Sequence, residues 1–249
     1  MASLNNLTFP GSGAPIVATR SGRSSKQPCS SRQSFEPRRA LRAVVGGLAL
    51  LSPASAFNAN NIERQGLIDK YNNLNNAPID LRLDEYEGKL VWRIQPEENL
   101  EGWEYVYSTT DQWNANQWYN IAVTWGVDGM KMYVDGVLEG TNTSTIKPGS
   151  GYYDLLLGAD YNWSGQANIS DLNNFFNGDI DHLHIWDGLL SDEEILQYMS
   201  CPPEGPESGL ISFWNFEEGN GSVVYGTGSE TNGINNGVIY SQGVSQTNC

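Results

Sequence analysis

Asn116-Gln-Trp-Tyr-Asn-Ile-Ala-Val-Thr-Trp-Gly-Val-Asp-Gly-Met-Lys-Met-Tyr-Val-Asp-Gly136 is the stretch on which the fold turns. From Trp118 to Trp125 the side chains alternate, with Tyr119, Ile121, Val123 and Trp125 on one face and Trp118, Asn120, Ala122 and Thr124 on the other, the period of a half-buried strand. Asp128-Gly129 closes a tight turn into a second strand, Met130 to Val134, and Asp135-Gly136 turns the chain into a third that opens with Val137-Leu138. No crossover helix fits between these strands, so the sheet is antiparallel.

Working outward, the first 56 residues differ in kind from the rest. They hold seven basic residues and one acidic residue, Glu36, among many serines, a composition that resembles an organelle transit peptide. Arg38-Arg39, the apolar run Ala43 to Leu51 and the small residues Ala54-Ser55-Ala56 then follow the plan of an export signal, and the run is too short for a permanent membrane helix. The expectation is a disordered targeting segment over 1–56 and a mature chain beginning near Phe57. The order of the two signals favours the plastid thylakoid lumen, with secretion or the cell surface as the alternative.

Without that segment, 7 basic and 28 acidic residues remain, a net charge of about −21. Such a surface repels nucleic acid and anionic lipid, which excludes both as partners and leaves no membrane insertion after processing. Cys201 and Cys249 form an even pair in an exported chain, the pattern of a disulfide. It would close a loop of 48 residues with a chain-entropy gain of about 4 kcal/mol.

Residues 57–84 read as a polar leader with weak helical spacing between Ile62 and Leu74. Strand patterns begin at Lys89 to Gln95 and Glu104 to Ser108, where Tyr105 and Tyr107 share a face. Beyond the central meander, Tyr153 to Gly158 carries three consecutive leucines, and Asp179 to Trp186 alternates with Ile180, His182, His184 and Trp186 on one face. Ser191-Asp-Glu-Glu194 is a capping box opening a short helix that Cys201-Pro202-Pro203 stops.

Gln117 to Trp125, Tyr133-Val-Asp-Gly136, Leu157-Gly158, Phe176 to Asp181 and Leu190 to Ile195 stand in the order and spacing of the laminin-G-like jelly-roll domain, which the chain resembles over residues 85–200. That family lies in the concanavalin A-like lectin/glucanase superfamily. The resemblance implies an all-β fold, an antiparallel β-sandwich of jelly-roll type with one short helix. One departure stands out: Gly209 to Gly219 reads like the strand with which such domains begin, yet it follows the sheet. Residues 201–249 are therefore expected either to complete the same sandwich or to open a second domain.

Sandwiches of this kind often bind calcium through carboxylates at a loop rim, which implies Asp160, Asp179 and Asp181 as candidate ligands; hard oxygen donors suit that ion. Sugar binding needs an aromatic platform with amide groups nearby, and Tyr152, Tyr161, Asn162 and Trp163 supply such a set in loops. Retaining glycoside hydrolysis needs two carboxyls about 5 Å apart on one strand face. Asp179 and Asp181 share a face, but His184 stands where the second catalytic carboxylate of the glucanase pattern belongs. The sequence therefore implies a non-catalytic recognition module for carbohydrate or a protein surface, calcium-assisted. A glycosidase, active or degenerate, and a purely structural extracytosolic protein are the alternatives.

Overall fold

The computed structural model describes residues 64–70, 79–83, 87–95, 102–146, 155–161, 172–203, 206–228 and 232–235, together with the strand segments 7–8, 19–20, 46–53, 57–58 and 241–242. The elements that build the domain are, in chain order, β1 (Gly46–Pro53), β2 (Gln65–Lys70), β3 (Ile79–Leu83), β4 (Leu90–Ile94), β5 (Glu104–Tyr107), β6 (Tyr119–Gly126), β7 (Gly129–Val134), β8 (Val137–Asn142), β9 (Leu155–Leu157), β10 (Asp160–Tyr161), β11 (Leu172–Asn173), β12 (Gly178–Trp186), the helix α1 (Asp192–Ser200), β13 (Leu210–Trp214) and β14 (Thr227–Gly228). Two antiparallel sheets result, one in the order β8-β7-β6-β1-β12-β13-β14 and one in the order β9-β2-β3-β4-β5.

The meander β6-β7-β8 forms as its turn chemistry dictates. Asp135 and Gly136 both adopt positive φ, 49° and 76°, the type I′ geometry that matches strand twist, and Val134 pairs with Val137 across it. Asp135 also accepts the Asn120 amide through Oδ1 at 2.8 Å, which ties the turn to β6. Tyr119, Ile121, Val123 and Trp125 then face the core, where they meet Leu81, Trp92 and Val106 of the other sheet. Trp92 and Trp125 touch between the layers, with ring centroids 5.4 Å apart and planes inclined at 44°. Burying each such side chain stabilises the fold by about 1.5–3 kcal/mol.

The domain begins earlier than the sequence pattern implied. Gln65–Lys70 is a strand rather than a helix, and both β2 and β3 lie within the five-stranded sheet, with Leu67 and Leu81 fully in the core. The helical spacing was misleading because β2 is short and carries a bulge between Gly66 and Ile68, which blurs its two-residue period. Within the expected leader 57–84, Gln65–Lys70 and Ile79–Leu83 are therefore strands of the sheet itself. A second difference is larger. Gly46–Pro53, expected to leave with the targeting segment, pairs with β6 on one side and β12 on the other. A continuous apolar run is the signature of a strand covered on both faces, and composition alone does not separate it from the apolar part of an export signal.

In β12 the alternation breaks at His182, whose φ is +51°, and the register shifts between Asp181 and His184. Ile180 and Leu183 consequently both reach the core, while His184 and Trp186 turn outward, so the single face expected for Ile180, His182, His184 and Trp186 does not exist. β13 extends the sheet beyond β12, pairing Leu183 with Trp214. Cys201 caps the helix and is disulfide-bonded; Cys249 lies outside the described residues.

One pair of sheet edges is sewn together. Glu139 on β8 accepts the amides of Thr109 and Thr110 at 3.1 and 3.0 Å and the Thr110 hydroxyl at 2.6 Å. Asn142 Nδ2 donates to Glu104 and to the Tyr105 carbonyl. Gly140 permits this approach, because a Cβ there would lie 2.3 Å from the Tyr107 carbonyl oxygen.

Candidate functional site

The two outer faces of the sandwich carry different chemistry. Outside the seven-stranded sheet, Ala122, Tyr133 and Trp186 form an apolar patch that α1 covers with Ile195 and Tyr198. The helix is fixed there by its capping box, Ser191 Oγ accepting from Glu194 N at 3.2 Å and Ser191 N donating to Glu194 Oε2 at 2.8 Å. The Tyr133 hydroxyl donates to Asp192 at 2.7 Å and locks its first turn. His184 is enclosed between Phe213 and Tyr198, and burial, then the neighbouring His182, push its pKa well below the usual value, so the imidazole is neutral.

Outside the five-stranded sheet, among the described residues, no helix lies on the surface. Because Leu81, Trp92 and Val106 point inward, their neighbours point out, and the register places Asp69, Asp80, Arg93 and Tyr105 in one row across β2, β3, β4 and β5. Arg82 and Tyr107 belong to the adjacent row. Asp80, with no exposed surface, accepts from Arg82 Nη1 at 2.6 Å and from Arg93 Nε at 2.5 Å, and Arg64 Nη2 lies 3.7 Å away. The same guanidinium of Arg64 binds Asp160 Oδ2 at 2.6 Å, to which Asn174 Nδ2 also donates at 3.1 Å. Arg93 in turn lies over the Trp103 ring, 4.1 Å from its centroid.

The two carboxyls are shifted in opposite directions. Burial opposes charge on Asp80, but Arg93, Arg82 and Arg64 together outweigh it and hold the carboxyl below its ordinary range. For Asp160, burial and then the charge of Asp80 push the pKa up to about 6, against Arg64, which it shares with Asp80. Opposed tendencies in neighbouring carboxyls are the electrostatic pattern of an acid and base pair. Here both groups are sealed from solvent, and Asp160 Oδ1 lies so close to Gly66 that a Cβ there would stand 2.0 Å away. The cluster therefore acts as a fixed frame that orients Arg93 and the rows beside it.

At the open end of those rows stand Tyr105 and Tyr107, 36% and 48% exposed, their rings nearly parallel at 13° with centroids 6.0 Å apart. Their alternation with Glu104, Val106 and Ser108 is visible in the sequence, and only the register with Arg93 reveals what they adjoin. Of the residues expected to form a site, Asp160 lies in the charged cluster, and Asp181 lies in β12 of the other sheet, its Oδ1 3.1 Å from His182 Nδ1. Asp179 is in the same strand, so the three aspartates are divided between two regions. Among the described residues no group of three His, Cys, Asp or Glu side chains is arranged to hold a metal ion. Tyr152, Asn162 and Trp163 lie outside the described residues. Tyr161 follows Asp160 in β10, which pairs with β11.

With this geometry in view, the chain belongs to the Laminin_G_3 family of the concanavalin A-like lectin/glucanases superfamily, whose model matches residues 58–196. Among solved structures it is similar to a putative carbohydrate binding protein from Bacteroides ovatus ATCC 8483, with a TM-score of 0.59 and 13% identity over 94% of this chain and 58% of that one, a likeness of fold. Two curated relatives also match. The sushi, von Willebrand factor type A, EGF and pentraxin domain-containing protein 1 of Rattus norvegicus is 31% identical over 105 residues, and that of Mus musculus is 32% identical over 111. The matches cover 41% and 43% of this chain but 3% of each relative.

Proposed function

We propose that this protein is a non-catalytic recognition module whose outer five-stranded face binds carbohydrate through Tyr105 and Tyr107. The observation that carries the reading is the half-exposed tyrosine pair lying in register with Arg93 and Asp80, on the outer face that α1 leaves open. Sugar rings present both apolar C–H faces and hydroxyls. The tyrosine pair meets the first with its ring faces and the second with its phenol hydroxyls. Membership of a lectin-containing superfamily and the carbohydrate-binding description of the Bacteroides ovatus relative support the same class of ligand. Tyr161, which follows Asp160 in β10, and Trp163 are proposed as a second contact, with calcium as a candidate organiser. A protein surface is the other ligand class consistent with the fold.

An extracytosolic setting belongs to this reading and is supported by the disulfide at Cys201, for which Cys249 is the proposed partner. Among the described residues no helix is long and apolar enough to cross a membrane. A glycan array probed with the full chain, with and without calcium, tests the proposal. Binding that falls at least about tenfold in Tyr105→Ala and Tyr107→Ala is expected, whereas a flat array from the folded wild type overturns it.

Glycoside hydrolysis is the second reading, which rests on the glucanases that share the superfamily. Release of reducing sugar from a glycan by the full chain would establish it over recognition.

A further inference from the structure

The strand between β6 and β12 is the feature that the family match leaves unaccounted for, since the matched region begins at residue 58 and β1 ends at Pro53. We propose that β6 and β12 form a strand-accepting slot filled by Gly46–Pro53 of the same chain, so that maturation removes only residues before Gly46 and does not cut at Ala56.

The argument rests on register. Five residues of β1, Gly47 to Leu51, pair with Tyr119 to Val123 of β6, and seven pair with β12 between Gly178 and Trp186. Leu51 stands between Tyr119 and Ile180, both in the core, and Ala49 opposes Ile121, also in the core. Leu48 stands between Ala122, in the patch under α1, and His184, which packs against Tyr198 of the helix. Leu48, Ala49 and Leu51 thus fall in rows whose neighbours are already committed to one of two interiors. This explains an apolar run with neither charge nor alternation as well as a signal peptide does.

Removal would have a definite consequence. The seven-stranded sheet would part into β8-β7-β6 and β12-β13-β14, and two inner strands would become edges with unpaired N–H and C=O groups. The core face of β6 and the patch beneath α1 would lose their shared middle strand at the same time. The chain then continues into Phe57–Asn58, which pairs with Gln112–Trp113, so the position of the expected cut lies between two paired segments.

Amide hydrogen exchange on the unaltered full chain tests this without relying on a variant. The expected result is that residues 47–52 are protected at least about 100-fold over unstructured rates, in the same class as 119–123. Exchange of 47–52 at unstructured rates overturns the proposal. Two further measurements keep it exposed. Intact mass of protein matured in a plastid or secretory host is expected to place the N-terminus before Gly46, and a soluble, cooperatively unfolding product that begins at Phe57 refutes it. In the full chain, Leu50→Asp is expected to remove protection from 119–123 and 178–186, while Val44→Asp, outside the strand, leaves both unchanged. Equal exchange in the two variants, or a dimer holding the strand in trans, would also sink the proposal.

Discussion

The two outer faces of this sandwich are built on the same backbone pattern and end with opposite chemistry. Outside the seven-stranded sheet, outward positions carry Ala122, Tyr133 and Trp186, which require a cover, and α1 supplies one. Outside the five-stranded sheet, outward positions carry Asp80, Arg82 and Arg93, which satisfy one another in the plane of the sheet. A face that is neutralised from within needs no helix, and so it leaves its tyrosines available for something else. The difference teaches that open surface on a β-sandwich can be prepared by buried charge as well as by loop length.

Substitutions on the two faces should therefore fail in different ways. The largest effect is expected for Asp80→Asn. It leaves Arg82 and Arg93 facing a neutral amide in a dry setting, and urea unfolding should show a loss of about 3–5 kcal/mol. Ile195→Ala, on the covered face, should cost about 2–4 kcal/mol by opening a cavity under α1, yet leave glycan affinity of the folded fraction unchanged. A loss of affinity there would erase the functional distinction between the faces.

The charged face should also respond to pH in a way the covered face does not. Because the folded pKa of Asp160 is raised to about 6 from an ordinary value of 3.8, its contribution favours folding below the lower value and fades as pH rises through the interval between them. Asp80 behaves in the opposite sense: its folded pKa is lowered, so its contribution is present above the ordinary carboxylate range and is lost on acidification through its folded value. Relative to wild type, Asp160→Asn should gain about 1–3 kcal/mol between pH 4 and pH 7, read from paired urea midpoints; a constant difference would contradict the assignment. Ser191→Ala should cost about 1 kcal/mol through the lost helix cap. Tyr105→Ala should change stability least, within about 0.5–1 kcal/mol, and change glycan binding most.

Much of this arrangement was legible before any coordinates. The alternation from Tyr119 to Trp125 and the glycine turn at Gly136 dictate the meander and its buried face, and Ser191 with Glu194 marks the helix start to the residue. What escaped has physical reasons. The apolar character of Gly46 to Leu51 suits a membrane-directed signal and a doubly covered strand alike. The two-residue period of β12 breaks at His182, where one left-handed residue, unmarked in the sequence, reverses the faces of everything after it. The charged cluster was invisible because Arg64, Asp80, Arg93 and Asp160 come from four separate segments, and only cross-strand register brings them together. Of these four, Asp160 alone stands out in the sequence, as a candidate calcium ligand, and in the structure its Oδ2 meets the Arg64 guanidinium.

The contact between Trp92 and Trp125 has a practical consequence. One indole belongs to each layer, and at their separation and inclination the two transitions couple, giving the molecule a built-in optical gauge of whether its layers are seated. Near-ultraviolet circular dichroism would lose the coupled band as soon as the layers part, even while each ribbon persisted. Docking and ribbon formation could then be timed separately in a chain carrying no label.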